Sequence, residues 1–543
     1  MSWHPQYRSS KFRHVYGKAA TKEKCYDCVP ITHSVHDNQF CAVNPHFIAV
    51  VTECAAQLIF NSNSSLLDTC LDTPPSYEIL FAAVKSKVEL EKTGKLDPHY
   101  PRICGHKGNV LDIKWNPFND FVIASCSEDA TVKIWDIPKP LLTKNITTPK
   151  KELIGHSRRV GLIEWHPTAN NILFSSGHDY KIMIWNLDTS EDVLSNPVKI
   201  LDAHKDVVLS MSFNTDGSLL ATTSRDRKIR LIDPRARTVL QEASYKPHRA
   251  NKVLFLGNMK KLLSTGTSRW NNRQIALWDQ NDLSMPLLEE DLDGSSGLLF
   301  PFYDSDTNML YIVGKGDGNI RYYEISPEKP YLNYLTEYRS HLPQKGIGMM
   351  PKRGLEVSAC EIFRFYKLIP TKNLIEPVSM IVPRRSESYQ EDIYPLTTGG
   401  QPSMTAQEWL HGLNKGPLLV SLRPGSGPVN SSVQLLNSEP LVKSPELTQY
   451  QGQGESMLLE MQNSEIKDSR NKPTMEERLP KNEHTHLSNG FDIFECPPPK
   501  TENELLHMFY RQQEEIRRLR ELINLRDIRI KQLELELRNI FMN

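Results

Sequence analysis

The sequence of 543 residues has no excess of either charge, because 65 lysine and arginine residues balance 65 aspartate and glutamate residues. A protein held on nucleic acid mainly by phosphate contacts normally carries a basic excess, so the composition does not favour that class. No apolar run approaches the roughly 18 residues of a membrane-spanning helix. Residues 1–8 are too polar for a signal peptide. The nine cysteines are scattered and odd in number, which predicts reduced thiols in an intracellular protein.

Motifs for metal or nucleotide chemistry are also lacking. Cys25 and Cys28 have no second pair at zinc-ligand spacing. Residues 304–315 begin like a calcium loop but have Met309 and Lys315 where glycine and glutamate are needed. Residues 314–319 are rich in glycine but lack the Gly-Lys-Ser/Thr ending of a phosphate loop. We therefore expect no metal and no cofactor.

The sequence does contain a repeat. Trp135, Trp185, Ile232, Trp278 and Tyr323 each end a strand-like run and follow one another at intervals of 45 to 50 residues. The first and second repeats begin with Gly-His and the third with Ala-His, and the first ends with Trp-Asp. Repeats of this length with these marks are typical of the four-stranded blades of a WD40 β-propeller.

Three repeats share a histidine, a serine or threonine, an aspartate and a tryptophan-like position in the same order. The aspartate can accept from the histidine, the histidine can bond the hydroxyl, and the hydroxyl can accept from the indole N–H. Such a chain would satisfy buried polar groups and fix the register of each blade. The predicted network residues are His106, Ser125, Asp129, Trp135, His156, Ser175, Asp179, Trp185, His204, Thr222 and Asp226. A Ser-His-Asp hydrolase is the alternative, but the trio recurs at the blade period, so we predict no catalytic residue and no enzyme.

Strand-like runs also flank the five repeats, at residues 40–51 and 355–368. Together they predict an all-β ring of seven blades over residues 1–369. Because the end edges of a ring need protection, residues 9–16 are expected to close the last blade as its outer strand.

The other segments differ in character. Residues 61–95 are expected to be an irregular insertion, with a short helix within 79–91. Residues 370–423 are rich in apolar and aromatic side chains and predict an ordered extension packed on the ring. Residues 424–499 are dominated by Gly, Ser, Pro, Asn and Gln, which predicts a disordered linker.

Residues 500–543 form a heptad pattern in which nine of the twelve a and d positions are apolar. The pattern predicts an α-helical coiled coil, with a lone amphipathic helix on the ring as the alternative. Isoleucine at a with leucine at d favours two strands, whereas residues 529–534 match a pattern associated with short trimeric coils. We favour a trimer over a dimer. The predicted oligomerisation residues are Ile516, Leu519, Ile523, Arg529, Ile530, Leu533, Glu534 and Leu537.

The sequences of several segments resemble those of the coronins, a family of WD-repeat proteins associated with actin. These segments are residues 9–16, 40–45, 110–115, 350–355 and 383–394. Residues 501–506 and 527–533 look most like the type-2 coronins, the A form in particular. The resemblance implies actin-filament binding through the propeller, oligomerisation through the coil, and partnership with regulators of branched actin assembly. It also implies a cytoplasmic, cytoskeleton-associated protein.

One residue departs from the family pattern. Pro30 stands where coronins known for tight filament binding carry a basic residue, and proline supplies neither the charge nor a backbone donor. The alternative function is therefore a scaffold subunit of a signalling or nuclear regulatory complex with weak or indirect actin binding, which allows a nuclear pool.

Two polar stretches of the sequence contain candidate sites. Because actin filaments are acidic, the basic N-terminal run is a candidate filament contact. Its members are Lys11, Arg13, Lys18, Lys22 and Lys24. Ser386 follows two arginines and is a candidate phosphorylation site, where a phosphate would offset the local positive charge.

Overall fold

The computed structural model describes residues 10–52, 77–83, 94–95, 101–139, 144–244, 247–386 and 388–425, together with Arg517 and Arg526. The chain divides into two compact units, residues 1–444 and 445–543. In the second unit the described residues are Arg517 and Arg526, both helical and exposed. The predicted linker, apart from its first two residues, and the eight predicted oligomerisation residues lie outside the described residues.

The first unit is a β-propeller, as predicted. Its described strands form six blades and a larger sheet that we call the closing sheet. Blade 1 contains Cys41–Val43, Phe47–Thr52, Tyr77–Ala83 and Arg102–His106. Blade 2 contains Val110–Asn116, Asn119–Ser127, Thr131–Asp136, Lys151–Ile154 and the added strand Val193–Leu194. Blade 3 contains Val160–Trp165, Ile172–Gly177, Ile182–Asn186 and Lys199–Leu201.

The remaining sheets follow in chain order. Blade 4 contains Val208–Phe213, Leu220–Ser224, Ile229–Asp233 and Thr238–Ala243. Blade 5 contains His248–Phe255, Lys261–Ser268, Arg273–Asp279 and Leu288–Asp293. Blade 6 contains Leu299–Asp304, Met309–Gly314, Ile320–Ile325 and Leu332–Tyr338. The closing sheet contains Gly346–Met349, Glu361–Ile369, Leu374–Ile381, Tyr16–Ala19, Tyr26–Asp27 and Gly94–Lys95.

Burial follows strand position within a blade. In blade 3, every residue of Ile172–Gly177 and Ile182–Asn186 is buried. The outer strand of blade 4, Thr238–Ala243, is mostly exposed. Strands covered on both faces need continuous apolar side chains, so the second and third strands carry the core between neighbouring blades.

The ring closes where the closing sheet meets blade 1. Gly346–Met349 lies beside Cys41–Val43, and a Cβ on Gly348 would lie 2.7 Å from Cys41 Sγ. The N-terminal strand Tyr16–Ala19 pairs antiparallel with Leu374–Ile381, with Ala19 opposite Val378. The first and last parts of the propeller therefore share one sheet, which protects both end edges.

Two boundary predictions need correction at this junction. The closing strand is Tyr16–Ala19, so only Tyr16 of the predicted segment 9–16 belongs to it; Phe12 and Val15 are buried instead. The propeller does not end at residue 369, because Leu374–Ile381 is a strand of the closing sheet. The sequence did not predict this strand because it contains Pro377, and a proline argues against a central strand. Its carbonyl nevertheless accepts from Ala20 N at 2.8 Å.

The predicted irregular insertion at 61–95 also contains strands. Tyr77–Ala83 pairs with Phe47–Thr52 and with Arg102–His106, so it is the third strand of blade 1. The predicted helix within 79–91 is wrong for residues 79–83, since blade 1 uses them to join its second strand to its outer strand. Gly94–Lys95 pairs with Tyr26–Asp27.

The extension after the closing sheet packs on the ring. Thr397–Thr398 pairs with Leu419–Val420, and the one short α-helix among the described ranges is Ala406–Leu410.

The 3-10 turns in the described part of the chain are Lys22–Lys24, Lys352–Gly354, Val357–Ala359 and Pro370–Lys372. No helix in the described part of the chain is both long and apolar enough to cross a membrane.

Candidate functional site

The structure brings together the four predicted network residues of blade 2. His106 Nδ1 lies 2.9 Å from Asp129 Oδ2, and His106 Nε2 lies 2.7 Å from Ser125 Oγ. Trp135 Nε1 donates to the same Ser125 oxygen at 2.8 Å. Because an ionised aspartate only accepts, Nδ1 carries the imidazole proton and Nε2 accepts from the hydroxyl.

Blade 3 repeats this geometry. His156 Nδ1 lies 3.0 Å from both carboxylate oxygens of Asp179, and His156 Nε2 lies 2.8 Å from Ser175 Oγ. Trp185 Nε1 donates to Ser175 Oγ at 2.9 Å. The recurrence at successive blades agrees with a structural role.

These networks also join neighbouring blades. His106 ends the outer strand of blade 1, whereas its partners Ser125 and Asp129 lie in blade 2. Burial raises the pKa of Asp129, but the hydrogen bonds from His106, Thr131 and the Lys107 backbone lower it more, so this pKa lies well below its usual range. Burial likewise lowers the pKa of His106. A neutral imidazole between an anion and a hydroxyl therefore links the two sheets.

The predicted network of blade 4 is incomplete. His204 Nε2 lies 2.9 Å from Thr222 Oγ1, but His204 Nδ1 is buried without a hydrogen-bond partner among the described residues. Asp226 accepts instead from Arg230, whose Nη2 lies 2.6 Å from Asp226 Oδ2. The prediction that Asp226 bonds His204 is wrong because the buried guanidinium of Arg230 takes both carboxylate oxygens. Ile232 also supplies no indole donor.

Sequence reasoning missed a network in blade 5. His248 Nε2 lies 2.8 Å from Ser264 Oγ, which also accepts from Trp278 Nε1 at 2.8 Å. Gln274 Oε1 replaces the aspartate and lies 2.6 Å from His248 Nδ1. The serine and tryptophan are 14 residues apart here, against 10 in blade 2. The longer hairpin places the acceptor at Gln274 and not six residues before Trp278, where the pattern expects it. A search for a histidine and a serine before each tryptophan would have found the site.

His166 anchors the extension to the ring. Its Nδ1 accepts from Ala169 N at 2.9 Å and from Thr168 N at 3.3 Å, while its Nε2 donates to Gly217 O at 3.1 Å. The centre of its ring lies 4.9 Å from that of Trp409. Burial lowers the pKa of His166 to about 3. Protonation would therefore break two backbone hydrogen bonds beside the extension helix.

We expect this histidine to make the propeller less stable in mild acid. The folded-state pKa lies below the ordinary value of about 6.5, so between these values the unfolded chain binds the proton more readily. The free energy of unfolding should fall as pH drops through this window, by about 1.4 kcal/mol per pH unit from this group. His166→Gln should lower stability at pH 7 and reduce the slope between pH 6.5 and 5. Urea unfolding at several pH values measures both, and an unchanged slope in the variant would contradict the assignment.

The five basic residues of the N-terminal run are all exposed. Lys18 lies on the strand Tyr16–Ala19, and Lys22 and Lys24 lie on the following 3-10 turn. Lys11 Nζ donates to Asp392 O at 3.1 Å, which ties its side chain to the extension. Arg13 lies between Lys11 and this strand. The structure thus places the run along one edge of the closing sheet.

The other predicted site positions are also placed. Pro30 is half-buried between buried Val29 and Ile31. Ser386 is exposed, and its Oγ lies 2.7 Å from Ser388 Oγ. Arg384 Nη2 donates to Asp392 Oδ2 at 2.8 Å. Ser386 is therefore accessible, and its phosphorylation stays a prediction.

Comparisons with known proteins agree with the ring. Models of the WD domain, G-beta repeat, match residues 99–136, 147–186 and 195–233, and a model described as a type of WD40 repeat matches residues 375–417. A domain of unknown function, DUF1899, matches residues 5–60. The crystal structure of the WD40 domain from Toxoplasma gondii coronin superposes with a TM-score of 0.65 at 27% identity, covering 76% of this chain and 98% of that one.

Two relatives match over nearly their whole lengths. Coronin-2A of Homo sapiens is 66% identical over 100% of this chain and 99% of its own length. Coronin-2B of Homo sapiens is 58% identical over 99% of this chain and 98% of its own length. The resemblance drawn from the sequence is thereby confirmed: the chain belongs to the coronin family and, within it, to the type-2 coronins, with higher identity to the A form than to the B form.

Proposed function

We propose that this chain is a non-enzymatic scaffold that associates with actin filaments through its propeller and is multimerised by its C-terminal heptads. Coronin membership over the full length is the observation that carries the proposal, because actin association is the family property that the resemblance implies. The proposal also includes a cytoplasmic, cytoskeletal location and partnership with regulators of branched actin assembly. It includes a trimer in preference to a dimer.

The exposed basic run supports a filament contact at one edge of the closing sheet. Residues 10–24 contain five lysines and arginines and a single acidic residue, Glu23. An acidic filament surface would attract such a patch, and the attraction would weaken with added salt. Each exposed contact contributes little by itself, with typical values of about 0.2–1 kcal/mol. A single propeller should therefore bind weakly through this edge.

We expect the triple variant Lys18→Gln, Lys22→Gln, Lys24→Gln to co-sediment with actin filaments with an affinity lower by on the order of ten-fold at low salt. The variant removes three positive charges from one edge without touching a buried side chain. The matched control changes three exposed lysines on other blades, Lys107→Gln, Lys144→Gln and Lys205→Gln. It removes the same charge, so a similar loss in both variants would assign binding to net charge and not to this edge.

A second candidate function is a scaffold subunit of a signalling or nuclear regulatory complex. Pro30 favours it, because this half-buried proline offers no charge where strongly binding coronins have one. Full-length chain that fails to sediment with filaments at low salt, yet elutes from cell extract in a stable complex without actin, would favour this alternative. It would also assign the basic run to the solvated surface.

A further inference from the structure

A cavity of about 310 Å³ lies where the first strands of blades 2 to 6 begin. Its wall includes Leu111 of blade 2, Gly161 of blade 3, Val208 of blade 4 and Lys252 of blade 5. Residues 34–38 form its remaining side. The cavity thus collects side chains from several blades and from the segment that leads into blade 1.

The segment 34–38 is held firmly over this position. Asn38 Nδ2 donates to Leu111 O at 2.7 Å and to Gly161 O at 2.8 Å. From the opposite side of the ring, Lys315 Nζ donates to His36 O at 2.9 Å and to Val35 O at 3.0 Å. The wall is therefore fixed by side chains of blade 6 and by backbone of blades 2 and 3.

Three polar atoms in the wall have no hydrogen-bond partner among the residues that the structure describes. They are His36 Nδ1, Ser176 Oγ and His178 Nε2, each with almost no solvent-exposed area. Ser176 as a whole is 2% exposed, and the centres of the two imidazole rings lie 6.2 Å apart. Most buried polar groups in folded proteins are satisfied, because leaving one unpaired is costly. Three such atoms on one cavity therefore point to a ligand that hydrogen-bonds several of them together, and each imidazole can donate from the named nitrogen in one of its two tautomers.

The charge of the wall agrees with an anion. Arg159, Arg225 and Lys252 all line the cavity. Asp37 Oδ1 lies 2.9 Å from Lys315 Nζ, which is outside the lining, and Glu128 Oε1 lies 3.4 Å from Arg159 Nη1 and offsets its charge. Arg225 and Lys252 therefore carry the net positive charge of the wall. Arg159 and Arg225 are exposed, so this part of the lining is open to solvent.

Gly161 keeps the space between the two histidines open. A Cβ at this position would lie 3.5 Å from His178 Nε2 and 3.8 Å from His36 Cε1, which is ordinary contact distance. Alanine would therefore fill the gap between the rings without straining the backbone. This gives a way to block the cavity while every charge stays in place.

We propose that this cavity binds a phosphate monoester, with the serine hydroxyl and the two imidazoles bonding its oxygens and with Arg225 and Lys252 neutralising its charge. A phosphate presents three strong acceptor oxygens, and guanidinium groups match its geometry with paired donors. The ester is either a small soluble phosphate or a phosphorylated side chain of a partner. The lining shares no residue with the basic run.

Calorimetric titration of the full-length chain, at constant ionic strength, tests the proposal. The probes are inorganic phosphate, an eight-residue phosphoserine peptide, and the same peptide without phosphate. We expect saturable binding of inorganic phosphate and the phosphopeptide and none of the unphosphorylated peptide. Tighter binding of the phosphopeptide assigns the ester to a side chain, and equal binding assigns it to a soluble ligand.

Two variants and one matched control identify the place. Gly161→Ala and Arg225→Gln should each weaken binding by about ten-fold or more. Arg227→Gln removes the same charge from the same turn at an exposed residue outside the lining, and it should change affinity less than two-fold. Unfolding curves at pH 7 verify that the variants are folded. Absence of saturable phosphate binding to the unmodified chain would overturn the proposal, and so would equal losses in Arg225→Gln and Arg227→Gln.

Discussion

Replacing Ile523 and Ile530 with lysine in the full-length chain should lower its apparent affinity for actin filaments by on the order of 10²-fold. Both isoleucines occupy a positions of the predicted heptads, where a coiled coil buries its apolar seam. Two lysines in that seam would favour separate helices. The propellers would then bind one at a time instead of as linked sites.

The size of this effect comes from multivalency. A second propeller on the same coil meets the filament at a high effective concentration, so the avidity of linked sites exceeds the single affinity by a factor of about 10² to 10⁴. Because the basic edge of each propeller makes only weak contacts, most of the affinity of the oligomer for filaments should come from joining several propellers on one coil. The prediction thus depends both on filament binding and on the heptads.

The control adds the same two charges outside the seam. Asn524→Lys and Gln532→Lys fall at b and c positions of the same heptads and should leave both oligomeric state and filament affinity unchanged. Analytical ultracentrifugation gives the oligomeric state, with a trimer expected for the unmodified chain, and co-sedimentation gives the affinity. A monomeric seam variant that binds filaments as well as the unmodified chain would exclude avidity. An unmodified chain that is monomeric would exclude the coil.

The sequence predicted the polar networks well where the spacing within a blade was regular. His106 and His156 meet the partners expected of them, because the short hairpins of blades 2 and 3 keep serine and tryptophan 10 residues apart. In blade 4 a histidine, a hydroxyl and an aspartate are present, but Ile232 replaces the tryptophan and Arg230 binds Asp226. The sequence pattern shows which acceptor is available, but it does not show which of several possible donors binds that acceptor in the fold.

The missed strands have a similar cause. Tyr77–Ala83 follows Phe47–Thr52 only after residues 53–76, so its distance along the chain does not match the repeat. Leu374–Ile381 contains a proline that normally argues against a central strand. Pro377 lies between Val378, which pairs with Ala19, and Ile375, which pairs with Tyr26, so neither of these pairings includes the proline.

The cavity with His36 and His178 had no sequence signal at all. Its wall joins residues from several blades and from segment 34–38, which are far apart in the chain. Closure of the ring brings these residues together in space. Sites of this kind therefore follow from the topology and not from any local motif.

Trp185→Ala should be the most destabilising of the single changes considered, with a loss of about 3–5 kcal/mol in the free energy of unfolding. The side chain is fully buried, and it packs among apolar residues from blades 2 and 3. A Cβ on Gly155 would lie 2.9 Å from Trp185 Cη2, so the ring fills its space completely on that side. Removing it would leave a large cavity at the junction of two blades. Urea unfolding followed by circular dichroism measures the loss.

Trp185→Phe separates packing from hydrogen bonding. Phenylalanine keeps most of the buried volume but loses the indole donor, while Ser175 Oγ keeps its bond to His156. The expected loss is about 1 kcal/mol. Trp270→Ala is the control at an exposed tryptophan, 64% accessible, and should change stability by no more than about 0.5 kcal/mol. If Trp185→Phe cost as much as Trp185→Ala, the hydrogen bond and not the packing would carry the stability.

Combining Trp185→Phe with Asp179→Ala then tests whether the network acts as a unit. Asp179 and Trp185 do not bond each other; they are connected through His156 and Ser175. Residues in one hydrogen-bond network typically show coupling of about 0.5–3 kcal/mol in a double-mutant cycle. We expect a coupling in this range, because the loss of Asp179 frees His156 to change its tautomer and removes the acceptor that Ser175 needs. Strictly additive losses would mean that the four side chains stabilise blade 3 independently, and that their recurrence at the blade period reflects packing alone.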